Sequence, residues 1–154
     1  MNKKQILYLI LVILWFGLII SFSSQVAEDS AKLSGGITET VITVLKTVKL
    51  LPEGEVEEVT LELVHKMIRK AAHFFMYAVL AMFISLFLIY SNVNANKIII
   101  LALVISACLA CVDELYQTTI PGRAGQISDV LLDSLGALSG STILIIARKH
   151  LGIS

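Results

Sequence analysis

The chain has 154 residues, a formal net charge of +0, 56% hydrophobic residues and only 16% charged ones, with a mean hydropathy of +0.85. Such a balance excludes an ordinary water-soluble domain and fits an integral membrane protein that forms one unit over residues 1–154. Without an excess of positive charge, or a basic patch interleaved with aromatics, no nucleic-acid partner is expected.

The first apolar run, Ile6 to Phe22, contains no charge. Lys3 and Lys4 before it, and SFS at 21–23 after it, resemble parts of a signal peptide, but the run is long for one and reads as a retained span. Further apolar runs cover Ala71–Tyr90, interrupted by His73 and Ser85; Ile98–Val112, continuing to Gln117; and Ile127–Ala147, interrupted by Asp129 and Asp133. Each is long enough to cross a hydrocarbon core of about 30 Å at roughly 1.5 Å per residue. The expectation is an all-α polytopic membrane protein with four transmembrane helices, at about 6–22, 71–90, 98–117 and 127–147.

Between the first two spans, Ile37, Val41, Val44, Leu45 and Val48 recur at helical spacing, and after Pro52 and Gly54 so do Val56, Val59, Leu63 and Met67. Two amphipathic helices fit this pattern, lying on the membrane surface or capping the bundle; a solvated hairpin fits it as well. Lys3 and Lys4 at one terminus, and Arg148 and Lys149 at the other, are undiluted by acid. By the positive-inside rule they place both termini in the cytoplasm of a multi-pass cell-membrane protein. The six Lys/Arg of the Ser23–Lys70 segment argue against that orientation, although eight acids accompany them. Cys108 and Cys111 lie within an apolar helix, where thiols serve as small packing residues and not as a redox pair.

Helical rise brings distant polar residues to one level. Measured from the cytoplasmic end of each span, Asp113 lies about 24 Å up, Asp133 about 22 Å and His73 about 25 Å. Lys70 and Asp129 fall about one turn further out, where SFSSQ (21–25) also ends the first span. Lys70, His73 and Tyr77 share one face, Asp113 and Gln117 another, and Asp129, Asp133, Gly136 and Gly140 form a stripe whose GxxxG-like lower half permits close helix approach. A lone carboxylate facing lipid costs roughly 2.5–3.5 kcal/mol, so these acids must pair or face water. The expected result is a charged pocket at the outer end of the bundle. Arg123 follows Pro121 and Gly122 in the last turn, and Ser128 or Asp129 can cap the last helix.

Each site residue also has a plain structural role open to it. Lys70 can snorkel, and Asp113 can simply pair with Arg123 or Lys70. Arg123, whose planar fork suits phosphate or carboxylate, can be an interfacial anchor. Asp113 and Glu114 point about 100° apart on a helix, which argues against one acid–base dyad and leaves Glu114 as a solvated interfacial residue. His73, Asp113, Asp129 and Asp133 offer oxygen and nitrogen ligands, but their spacing matches no metal motif, so neither a metal nor a cofactor is expected.

The combination of RKAAHFFMYAVLA (69–81) with DELYQTTIPGRAGQISDVLLDSLGALSG (113–140) resembles the VanZ-like membrane proteins, as does SFSSQ after the first span. The resemblance covers most of the chain. It implies a bacterial four-helix membrane protein whose namesake is associated with resistance to the lipoglycopeptide teicoplanin, and it implies no known reaction. Its motif positions here are Lys70, His73, Asp113, Glu114, Gln117, Arg123 and Asp129. Asp133 departs from the pattern, where Asn is expected, and this bears on the charge balance of the site.

Three functions fit. In the first, Lys70, His73, Asp113, Gln117, Arg123, Asp129 and Asp133 bind a membrane lipid, a lipid-linked cell-wall precursor or the lipoglycopeptide itself. In the second, an enzyme modifies a lipid-linked substrate with His73 moving the proton and Asp113 orienting it. In the third, the polar cluster only holds the helices together.

Overall fold

The computed structural model describes residues 1–24, 27–49, 51, 58–121 and 123–151, and leaves the side chains of 27–35 and 37 outside that set. Among the described residues all regular structure is helical: α1 (Lys3–Ser23), α2 (Ala27–Thr47), α3 (Glu58–Tyr90), α4 (Ala95–Gln117) and α5 (Ile127–His150). Four of them, α1, α3, α4 and α5, are long and apolar enough to cross a membrane. The side chain of Ile37, the expected break at Pro52–Gly54, the residues around Val56 and the turn residue Gly122 lie outside the described set.

Local chemistry fixes the helix ends. Asn2 caps α1 reciprocally: its side chain accepts from the Gln5 backbone N–H at 2.8 Å, while the Gln5 side chain accepts from the Asn2 N–H. The end of α3 closes as a Schellman motif, with Asn92 N–H donating to the Ile89 carbonyl and Val93 N–H to the Leu88 carbonyl, both at 3.1 Å. Asn92 takes the left-handed conformation (φ 57°) that this closure needs, one of the few that Asn tolerates better than most residues. Two residues later the Asn94 side chain accepts from the Asn96 N–H and starts α4.

One apolar stripe per helix then sets the rotation of each span. Along α3 the buried positions include Tyr77, Leu80, Ile84 and Leu88; along α4 they include Ile98, Ala102, Ser106 and Ala110; along α5 they include Gly136, Ala137, Gly140 and Ser141. The α3–α5 interface is the most extensive. A Cβ on Gly136 would sit 2.2 Å from the Phe74 carbonyl oxygen, and one on Gly140 would sit 2.1 Å from that of Ala78. The small-residue stripe therefore lets backbone touch backbone, as its spacing predicts. Ser85 and Ser141 share a buried hydrogen bond of 3.0 Å below that contact.

The first span is integrated into the bundle. Ile19 is fully buried, and the Trp15 indole N–H donates to the Met76 carbonyl at 2.9 Å. At the end that carries Lys3 and Lys4, Tyr8 stacks on Tyr90 with ring centroids 5.4 Å apart, and the Lys4 ammonium lies 4.7 Å over the Tyr90 ring.

Two expectations change. The second amphipathic pattern is not a separate element. It runs without a break into the second span, giving a 33-residue α3 that starts at Glu58 and not at Ala71. At about 1.5 Å per residue that helix is some 50 Å long, well beyond a 30 Å hydrocarbon core, so its first turns extend past it. The remaining amphipathic helix, α2, packs against α3 through buried Thr38, whose hydroxyl lies 3.0 Å from His65 Nδ1. The cysteines also differ. Cys108 and Cys111 lie off the α4 stripe, and both are exposed on the outer face of the bundle instead of packing inside it.

Candidate functional site

The stripes that bury the helices end in polar residues at one end of the bundle. Continuing the α4 series past Ala110 by helical steps reaches Asp113 and Gln117, both buried. Continuing the α5 series back from Gly136 reaches Asp133, also buried. On α3 the step back from Tyr77 reaches His73, which is mostly buried. Packing that turns the apolar stripes inward thus turns these three groups inward too. His73 Nδ1 lies 3.7 Å from Asp113 Oδ2 and 3.9 Å from Asp133 Oδ2. One ligand-capable atom from each of the three residues falls within 4.8 Å of the others. The level deduced from helical rise holds.

Asp113 ties four helices' worth of polar groups together without a cation. Its Oδ2 accepts from the Ser23 hydroxyl of α1 at 3.0 Å and from the Gln117 amide of α4 at 3.4 Å, and it faces His73 of α3. Through His73 it is one step from Asp133 of α5. The plain structural alternative for Asp113, a direct ion pair with Lys70 or Arg123, is not formed. Lys70 instead makes a salt bridge to Asp129, one turn nearer the bundle end. Arg123 donates to the Gln117 side-chain oxygen at 3.4 Å. Burial, and then the neighbouring Arg69 charge, lower the proton affinity of Arg123, yet a guanidinium stays charged in proteins.

Glu114 corrects the sequence reading most. It is buried and not solvated. It accepts from the Gln117 amide at 3.1 Å and from the Gln126 backbone N–H at 2.8 Å, which anchors the turn where α5 begins. That anchor matters because α5 has no side-chain cap: Gln126 occupies the N-cap position, and neither Ser128 nor Asp129 caps. The turn lies tight on α4, since a Cβ at Gly125 would approach the Glu114 carbonyl oxygen to 2.6 Å.

A small, partly open pocket lies at this end, with a cavity of about 10 Å³, the room of about one water. Lys70, His73, Gln117, Asp129 and Asp133 line it, joined by Arg69, Glu114 and Leu132; Asp113 and Arg123 contribute from behind, through Gln117. Asp129 does not join the His73–Asp113–Asp133 cluster, because its carboxylate is engaged by Lys70. The sequence missed Ser23 and the inward face of Glu114. The SFSSQ segment was a signal for the first, since a hydroxyl at the end of a span needs a partner. The second also had a signal, since steps of four along Ile98, Ala102, Ser106 and Ala110 lead to Glu114.

This helical arrangement, with its buried polar cluster at one bundle end, can be set against known families. The sequence matches the profile of the VanZ/LLP1 family over residues 8–148. The chain belongs to the VanZ/LLP1 family. No curated protein and no solved structure matches it. The family match reaches into all four apolar helices and covers every residue of the polar cluster described above.

Proposed function

We propose that this VanZ/LLP1 protein binds the anionic headgroup of a membrane lipid or lipid-linked cell-wall precursor in the pocket at the outer end of its bundle, and thereby contributes to resistance against lipoglycopeptides of the teicoplanin type. The observation that carries the reading is the pocket lining. Arg69 and Lys70 sit at its edge, backed by the Arg123–Gln117 hydrogen bond, in a bundle whose helices otherwise expose apolar side chains. Cations placed at headgroup depth attract anionic lipids by about 1 kcal/mol each.

Lys70→Met keeps the side-chain stem and removes the charge. It is expected to weaken binding of phosphatidylglycerol about fivefold relative to phosphatidylcholine, read by native mass spectrometry of the detergent-solubilised protein with each lipid added. Lys66→Met is the control, because Lys66 is exposed one turn away and pairs with Glu62. Equal losses in the two variants mean generic attraction to anionic lipid and no pocket.

The orientation belongs to the same proposal: Lys3, Lys4, Arg148 and Lys149 face the cytoplasm and the pocket faces outward. In a chain with Cys108 and Cys111 replaced by alanine, Lys149→Cys should label only from the cytoplasm and Thr119→Cys only from outside. The reverse pattern inverts the pocket and removes any contact with an external antibiotic.

The 3.7 Å approach of His73 to Asp113 favours a second reading, in which this pair performs acid–base chemistry on a lipid-linked substrate. A modified lipid that accumulates with the wild-type chain, and not with Asp113→Asn, would select it.

A further inference from the structure

Among the described residues Asp133 is the buried carboxyl with the least hydrogen-bond support. It is 1% exposed, and neither of its carboxylate oxygens has a hydrogen-bond partner among the described residues. Asp113 Oδ1 is buried and unpartnered in the same way. Three carboxylate oxygens of the two acids that face His73 thus lack a partner, and among the described residues no lysine or arginine bonds to either acid: Lys70 is engaged by Asp129, and Arg123 donates to Gln117. Buried charge without compensation costs several kcal/mol, and an orphaned buried polar group in a native fold calls for a cause.

We infer that His73, Asp113 and Asp133 form a binding site for a divalent transition-metal ion of the zinc or manganese class. The inference rests on the geometry of the cluster and is independent of the headgroup reading. Bonds of about 2.0–2.2 Å to nitrogen and oxygen put tetrahedral ligand atoms roughly 3.3–3.6 Å apart. Here the imidazole nitrogen stands 3.7 and 3.9 Å from the two carboxylates, and no pair exceeds 4.8 Å. The donor set is one imidazole and two carboxylates with no thiolate, which suits zinc or manganese and not a soft ion such as Cu(I).

The surroundings are those of a supported ligand. Ser23 and Gln117 both donate to Asp113 Oδ2, the oxygen that faces His73, and so fix the orientation of the carboxylate, while Oδ1 has no partner among the described residues. Three protein ligands leave a coordination position open, as in sites that exchange water or substrate, and both His73 and Asp133 line the pocket. The sequence offers these residues, with Asp129, as possible ligands but argues against a metal, because ligands from three different helices, at positions 73, 113 and 133, form no local motif.

A bound ion also changes the sign of the pocket. By formal charge Arg69, Lys70 and Arg123 stand against Asp113, Glu114, Asp129 and Asp133, an excess of one negative charge. A divalent ion makes the excess positive and gives a phosphate or carboxylate oxygen an open position to occupy.

The test uses the full chain, tag removed, purified in detergent and stripped with a chelator. Zinc chloride and manganese chloride are titrated in separately, with binding followed by calorimetry and stoichiometry by elemental analysis. The expected result is one ion per chain for at least one of the two metals. Asp133→Asn and His73→Gln should each weaken binding at least about tenfold, the lower bound for losing even an outer partner of a ligand. Replacing Cys108 and Cys111 by alanine should change nothing. Thermal melts of the stripped variants confirm that each is folded, and either variant suffices. Lack of saturable binding of either metal at millimolar concentration, or binding that is unchanged in both folded ligand variants, overturns the site. Neither outcome touches the Lys70→Met lipid comparison, which stands or falls separately.

Discussion

Gly140→Ala is expected to destabilise the bundle more than any other single-methyl addition along its spans. The added Cβ would lie 2.1 Å from the Ala78 carbonyl oxygen and 2.6 Å from its carbonyl carbon. These are backbone atoms inside a helix, so no rotamer change relieves the overlap; α3 and α5 must separate. Overpacking a tight core costs typically about 1–3 kcal/mol, and this case belongs at the upper end because the obstacle is rigid. The cost spreads along the interface, since the Ser85–Ser141 hydrogen bond lies at the same contact. Asp133 sits two turns along α5, so the His73–Asp133 distance should lengthen as well. Unfolding in mixed detergent with increasing sodium dodecyl sulfate measures the loss. Gly17→Ala is the control, because nothing lies within 4 Å of a Cβ there. A Gly140→Ala chain as stable as the Gly17→Ala chain would mean that the α3–α5 contact is looser than described.

The same contact explains how much the sequence disclosed. A rise of 1.5 Å per residue depends only on helix geometry, so His73, Asp113 and Asp133 could be placed at one level before any packing was known. The Gly136–Gly140 stripe then gave the rotation of α5, because close approach requires small residues. The rotation of α4 was less legible. Asp113 and Glu114 both turned out buried, one toward His73 and the other toward the turn at Gln126, and only the tight path of that turn over α4 makes the second possible. The choice of ion pairs is not legible for a related reason. Lys70 had several acids within reach of its long side chain, and the choice of Asp129 depends on tertiary distances of a few ångströms. The fusion of the amphipathic 58–67 segment with the second span was legible in principle, since residues 58–90 contain no Gly or Pro to end a helix. Hydropathy marks where lipid begins, whereas helices stop only where their backbone chemistry stops them.

Asp113→Ala and Asp133→Ala should shift stability in opposite directions, although both truncate a buried aspartate at the same level of the bundle. Removing Asp113 takes the acceptor from the Ser23 hydroxyl; Gln117 keeps its bond to Glu114. A buried donor left without a partner costs about 1–3 kcal/mol, so a loss of about 2 kcal/mol is expected. Removing Asp133 breaks no hydrogen bond among the described residues. It leaves a small cavity, and it relieves a carboxylate whose burial costs roughly 2.5–3.5 kcal/mol on insertion scales. The net is expected to be no loss, or a gain of about 1–2 kcal/mol, as cavity cost and relief oppose each other. Both chains must be measured in chelator, because an ion bound only by the folded wild type would add its own stabilisation to the reference. If the cluster were merely glue between helices, both truncations would lower stability together. A chain that folds better without Asp133 retains that residue at a cost, and residues kept at a cost to folding are those that bind or react. Equal destabilisation by the two substitutions would remove this argument and leave the polar cluster as a structural tie.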